Sequence, residues 1–218
     1  MYNPKHFEQH DAAVITELIQ NFPLATLVTQ NIDGLVANHI PFLLEGQIAV
    51  GSRLIGHVAK MNPVWQDTSP DAESLLIFQG PIAYITPNWY PSKQETHLVV
   101  PTYNYATVHI YGKLVASHDE QVKRLVVEHL TNSMESMRPN PWRISEAPAD
   151  YIEKMLGAIV AVGLTVTRIE AKWKVSQNRP ASDKEGVASG LMQNALGEDD
   201  QRMSRMVRDG TGVGRHQA

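Results

Sequence analysis

Ala158-Ile159-Val160-Ala161-Val162-Gly163-Leu164-Thr165-Val166-Thr167-Arg168-Ile169 is a nearly unbroken apolar and β-branched run. Such a run reads as a strand. It feeds directly into Lys172-Trp173-Lys174-Val175-Ser176-Gln177-Asn178-Arg179-Pro180. Every side chain there before the proline donates a hydrogen bond except the valine, and Lys172, Lys174 and Arg179 carry positive charge. A strand end needs no such inventory to fold. It suits an anionic, planar, hydrogen-bonding ligand. The same residues also fit an exposed strand terminus with solvated charges and one packed tryptophan. Residue types alone leave both readings open.

The totals narrow the classes. At 218 residues the chain holds one large domain, or one domain with an appendage. With 43% hydrophobic and 19% charged residues, most of it is expected to be globular. A net charge of −4 argues against broad, nonspecific binding to nucleic acid or an acidic membrane surface. The absence of cysteine excludes disulfides, thiolate nucleophiles and Cys-ligated metals. Met1 to Asp11 lacks a basic-then-apolar leader, and no apolar run is long enough for a bilayer, so a cytoplasmic protein without membrane contact is expected. His6 and His10 are spaced for one helix face but have no third ligand, so no metal site is expected.

Outward from the opening stretch, Asp11 is placed to cap a helix carrying Val14, Ile15, Leu18, Ile19 and Phe22. Leu24–Thr29 and Leu35–Leu44 flank the turn signal Asn31-Ile32-Asp33-Gly34 and read as a hairpin. Gln47–Ser52 reads as a third strand. Gly56–Lys60 reads as one or two helical turns ended by Asn62-Pro63, whose N-terminus favours a phosphate and sets His57 and Lys60 on one face. Glu73–Gly80 and Ile82–Thr86 read as two strands joined at Gln79-Gly80-Pro81. Pro87–Lys93 reads as a loop, and Gln94–Pro101 as irregular. Ala106–Ala116 reads as a long strand with a close contact or bulge at Gly112. Asp119 caps a helix with the stripe Val122, Leu125, Val126, His129 and Leu130, Lys123 lying off it, so His129 is expected at the core or its boundary. Ala149–Leu156 reads as a short helix, and Ser182-Asp183-Lys184-Glu185 opens another. From Gly197 the chain reads as a flexible tail.

Seven ordered phrases then resemble one family. They are Pro4-Lys5-His6-Phe7, Asp33-Gly34-Leu35-Val36-Ala37-Asn38-His39-Ile40-Pro41, Gly56-His57-Val58-Ala59-Lys60-Met61-Asn62-Pro63, Phe78-Gln79-Gly80-Pro81, Trp89-Tyr90-Pro91-Ser92-Lys93, Val100-Pro101-Thr102-Tyr103-Asn104-Tyr105, and Lys172 to Pro180. Together they resemble the PaiB-type proteins, described as FMN-binding negative transcriptional regulators. The resemblance covers Met1 to Met192 and leaves 193–218 as a charged, glycine-rich tail. It implies a mainly β, α+β fold: a split β-barrel, six-stranded, antiparallel and Greek-key-like, with flanking helices. It also implies a homodimer with FMN in the dimer groove.

Carried over by position, the resemblance implies that Asn38 and His39 line the flavin ring and that Ser52, His57 and Lys60 hold the phosphate. Gln79 meets the ring or ribityl chain. Trp173 and Arg179 come from the partner subunit, Gln177 and Asn178 bond the pyrimidine edge, and Asn104 and Tyr105 are further candidates. The oxidases of this superfamily carry an arginine-rich second strand. Here His39 is the only basic residue of Leu35–Leu44, so pyridoxamine-phosphate oxidation is not implied. Three functions stay open: a regulator in which FMN or another planar anion biases a partner or DNA contact, a flavin reductase or oxidase, and a cofactor-free dimeric interaction protein.

Overall fold

The computed structural model describes residues 1–68 and 72–210. In chain order its elements are α1 (Ala12–Asn21), β1 (Leu24–Asn31), β2 (Gly34–Pro41), β3 (Leu43–Leu44), β4 (Arg53–Ala59), α2 (Val64–Asp67), β5 (Glu73–Ile85), α3 (Ser92–Thr96), β6 (Thr102–Ser117), α4 (Glu120–Glu135), α5 (Ala149–Gly157), β7 (Ile159–Lys174), α6 (Ala181–Gln193) and α7 (Glu198–Asp209). The strands form a seven-stranded sheet in the order β2-β1-β5-β6-β7-β4-β3. The implied count of six is exceeded by β3, which adds only Leu43 and Leu44, paired with Ile55 and Leu54. The chain divides into two compact units. The first gathers Met1–Phe22, Gln79–Val108 and the segment from Glu170; the second gathers Pro23–Phe78 and His109–Ile169.

In the second unit β1 and β2 form the expected antiparallel hairpin, closing at Asn31 opposite Gly34. Ala25, Leu27 and Thr29 alternate inward along β1, the period of a half-buried strand. β4 pairs antiparallel with β7, from Arg53 opposite Thr165 to Ala59 opposite Ile159. Val160, Ala161, Val162 and Leu164 are all buried, so this part of β7 is covered on both faces, which is why its sequence does not alternate. Gly56 explains how the sheet closes: a Cβ there would stand 2.7 Å from the Pro41 carbonyl oxygen. Pro41 ends β2, at one edge of the strand order, and Gly56 lies in β4 near the other. Gly112, expected to make a close contact, does so: a Cβ would meet the Thr165 carbonyl at 2.2 Å.

Two local expectations fail in this unit. Gln47–Ser52 is a turn rather than a strand. The Ser52 hydroxyl accepts from the Ala49 amide at 2.9 Å and donates to the Gln47 carbonyl at 3.0 Å, and Gly51 has φ +91°. Gly56–Lys60 is not helical: through Ala59 it is the strand β4. Spacing suggested a helix face for His57 and Lys60, but pairing to β7 supplies the segment's backbone hydrogen bonds instead.

Helix α4, capped by Asp119 as expected, covers β4 with Val126 and Leu130 against Ile55 and Ala161. Its buried stripe lies to one side of the predicted one. Lys123 is buried and donates to the Leu156 carbonyl at 2.9 Å, while Leu125 and His129 are exposed. The carbonyls at the end of α5 carry the negative pole of the helix and can accept a second hydrogen bond, so they draw the ammonium inward and the stripe turns with it.

In the first unit Asp11 caps α1 through the amides of Ala13 and Val14, a contact worth about 1 kcal/mol. β5 runs unbroken through Gln79-Gly80-Pro81 instead of splitting there. The predicted loop contains a 3-10 turn at Pro87–Trp89, and α3 extends into the segment read as irregular. The expected flexible tail is also corrected: Glu198–Asp209 is helix α7, burying Met203, Met206 and Val207, and Ser204 donates to the Ala188 carbonyl of α6 at 2.7 Å. Except for the buried Arg202, its acidic and basic residues lie off the apolar stripe and mask it in a composition count. Residues 211–218 of that tail lie outside the described residues.

Candidate functional site

The residues singled out by sequence fall into two sets, one in each unit. In the first unit the opening motif is the end of β7 and the turn after it. Trp173 is 1% exposed, so its ring is packing within its own chain. Ser176 holds φ 63°, unusual for a residue with a Cβ, and is buried. Its hydroxyl accepts from the buried Asn104 amide at 2.9 Å, which ties the turn to β6. The Gln177 amide is occupied within the same turn: its oxygen accepts from the Val175 amide at 2.7 Å, and its nitrogen donates to the Trp173 carbonyl. Asn178 is exposed. Of the polar residues expected to meet a ligand here, Asn104 and Gln177 are therefore spent on building the turn.

The cations are treated differently. Lys172 is buried, donates to the Tyr2 carbonyl at 3.0 Å, and has its ammonium 5.4 Å from the Tyr105 ring centroid and 5.9 Å from that of Phe7. Lys174 donates to the Thr102 hydroxyl and to the Tyr103 carbonyl at 2.6 Å. Burial holds the Lys174 ammonium below its usual range, and the charges of Lys172 and Arg179 push the same way. The Arg179 guanidinium lies over the Tyr90 ring, 4.7 Å from its centroid. No carboxylate pairs with these three cations among the described residues. Gln79 is exposed on β5.

Tyr90 was missed from sequence. It is 2% exposed, and its hydroxyl is buried beside the Arg179 guanidinium. Burial raises its pKa; the Arg179 charge opposes that rise and the Asp183 charge adds to it. The buried Asp183 carboxylate accepts from the Ser92 amide at 3.1 Å and its hydroxyl at 2.7 Å. The preceding Trp89 fits against α6 only because two of that helix's residues are glycine. A Cβ at Gly190 would come 2.4 Å from the Trp89 ring, and one at Gly186 2.1 Å from its carbonyl. The phrase Trp89-Tyr90-Pro91 was the available signal.

In the second unit Asn38 and His39 point to opposite sides of β2, and His39 is exposed. The Ser52 hydroxyl is consumed by its turn. His57 shares a face of β4 with Ile55, the face under α4; its Nδ1 is buried without a partner, and burial depresses its pKa. Lys60 is exposed just past β4. No helix begins at Ser52, so the helix start expected to bring Ser52, His57 and Lys60 to a phosphate is replaced by strand β4. Asn62, which sequence offered only as a helix breaker, donates from its side-chain amide to Asn38 Oδ1 at 2.8 Å.

Some known proteins share part of this sequence, and others share the architecture. The family model described as "Putative FMN-binding domain" matches residues 1–168, a span that ends before Lys172. Over 210 residues the chain is 31% identical to Protease synthase and sporulation protein PAI 2 of Bacillus subtilis, covering 96% of this chain and 97% of that one. It is 32% identical to an uncharacterized protein of Aspergillus fumigatus, over 85% of this chain and 88% of that one. The FAD and heme binding protein from Mycobacterium smegmatis matches with a TM-score of 0.57 at 20% identity, over 77% of this chain and 73% of its own. A conserved hypothetical protein from Mycobacterium tuberculosis matches with a TM-score of 0.58 at 10% identity, over 83% and 94%. At those identities the likeness speaks for the fold alone, a split β-barrel.

Proposed function

Since the chain belongs to the PaiB-type family of FMN-binding domains, we propose that it is a homodimeric, cytoplasmic FMN-binding protein acting as a negative transcriptional regulator. The observation that carries the cofactor reading is the set Lys172, Lys174 and Arg179, brought together in the first unit with no carboxylate ion-paired to them among the described residues. Like charges held together and partly desolvated are unfavourable until an anion joins them. The anionic part of FMN is such a partner. When bound, FMN supplies electron transfer; the protein's residues supply binding, orientation and the local field. The dimer reading is supported by the exposed Ile82, Tyr84 and Tyr103 on the strands of the first unit. Among the described residues no helix is long and apolar enough to cross a membrane.

The net charge of −4 favours a second reading, a flavin-dependent reductase or oxidase, because it equips the chain poorly for direct contact with DNA. One titration tests the cofactor. FMN fluorescence is expected to quench saturably, and Lys60→Ala and Arg179→Ala are each expected to weaken binding by about 1–3 kcal/mol. No saturable quenching by the folded protein overturns the reading. Anaerobic bleaching of bound FMN by NAD(P)H selects the enzyme, and a salt-dependent gel shift on DNA selects the regulator.

A further inference from the structure

A cleft of about 280 Å³ opens in the second unit between the β1–β2 hairpin and α2. Thr29, Val36, Asn38, Asn62, Pro63 and Asp67 are among the residues that line it. Its hydrogen-bonding direction is fixed by a chain of contacts. The Val64 amide donates to Asn62 Oδ1 at 3.0 Å, so Asn62 must present its Nδ2 on the other side. That Nδ2 donates to Asn38 Oδ1 at 2.8 Å. The orientation of Asn38 is thereby set as well, and its Nδ2 is left as the donor at the cleft wall. This nitrogen is buried and has no partner among the described residues. An unmatched buried donor is uncommon enough to call for an acceptor. The opposite capability lies at the rim, where the exposed Asp67 presents a carboxylate that can accept. Val36, Pro63 and Val64 give the cleft apolar walls.

A donor on the wall, a carboxylate at the rim and apolar sides describe a receptor for a group that accepts and donates in one plane. We propose that this cleft binds a planar amide, its carbonyl oxygen accepting from Asn38 Nδ2 and its N–H donating to Asp67. A free anion is disfavoured by Asp67, and a purely apolar guest leaves Asn38 unmatched. Two sources carry this group: the pyrimidine edge of a flavin, and the carboxamide of a nicotinamide. The flavin source rests on the function proposed above; the nicotinamide source does not.

The test uses the full chain and the Asn38 side-chain NH2 resonances of ¹⁵N-labelled protein. Riboflavin and nicotinamide are titrated separately, with nicotinate as the control that replaces the amide by a carboxylate. The expected result is a saturable shift of the Asn38 NH2 pair with at least one of the amides and none with nicotinate. Asn38→Asp keeps an oxygen for Asn62 and turns the free donor into an acceptor, so it is expected to weaken that amide at least tenfold. Asn38→Leu serves as a second variant should the aspartate disturb folding, with the same expected loss. A shift with nicotinamide but no FMN quenching sustains this inference and removes the flavin reading. Saturable FMN quenching, with the Asn38 resonances unmoved and both variants binding as wild type, sustains the flavin reading and overturns this inference. Shifts that are the same for nicotinate and nicotinamide, or absent with every ligand, mean that the donor meets water alone and also overturn it.

Discussion

Two lysine-bearing strand ends carry the candidate residues, and they treat charge in opposite ways. Past β4, Lys60 stands exposed to solvent. At the end of β7, Lys172 and Lys174 are held by neutral acceptors: the carbonyls of Tyr2 and Tyr103 and the hydroxyl of Thr102. An exposed ammonium is screened by water and, beyond about 8–10 Å, by salt, whereas one bound to neutral groups in a partly buried site is screened much less. The β7 end is organised before any ligand arrives. The β4 end supplies charge only when something orders it.

The sharpest way to break this contrast is to remove what organises β7. Trp173→Ala is expected to destabilise the protein by about 3–5 kcal/mol in urea unfolding, the cost of emptying a fully buried indole site. Asn104→Leu comes next. It strands the buried Ser176 hydroxyl in a turn already held at positive φ, and is expected to cost about 1–3 kcal/mol by the same measurement. His57 gives a smaller, pH-dependent effect. Its folded-state pKa lies below the ordinary 6.5, so the unfolded chain takes up the proton first as pH falls. Stability is therefore expected to be full above 6.5 and to decline as pH drops from there toward the depressed folded value. His57→Gln is expected to flatten that part of a Tm-against-pH curve; a curve superimposable on wild type would show that the imidazole is not buried neutral. Lys60→Ala is the smallest, expected to move stability by less than about 0.5 kcal/mol. A large loss there would show that the β4 end is as organised as β7.

The same two ends mark how far the sequence could be read. β7 was legible because its apolar run has no helical period and is longer than any loop, and Asp11, Asp119 and the Asn31–Gly34 turn announce themselves by local chemistry. β4 was not, because Leu54-Ile55-Gly56-His57-Val58 mixes both periods and its pairing with Val160–Leu164 is a long-range contact that no local window contains. The site was only partly legible. Its residue types pointed to polar work at Lys172–Arg179, but type cannot distinguish Gln177, whose amide closes a turn, from Arg179, whose guanidinium stays on an aromatic face. Tyr90 and Asn62 were hidden for the converse reason: each looks like punctuation near a proline, and only the fold gives one a buried hydroxyl and the other the orientation of Asn38.

The first compact unit is discontinuous, assembled from Met1–Phe22, Gln79–Val108 and the segment from Glu170. During synthesis its earliest residues must therefore wait for nearly the whole chain to leave the ribosome. Until then Met1, Tyr2 and Asn3 lack their native partners Glu170, Lys172 and Ala171. Folding is expected to be limited by these distant closures. Chaperone demand should accordingly concentrate on the nascent chain, before the segment beginning at Glu170 emerges.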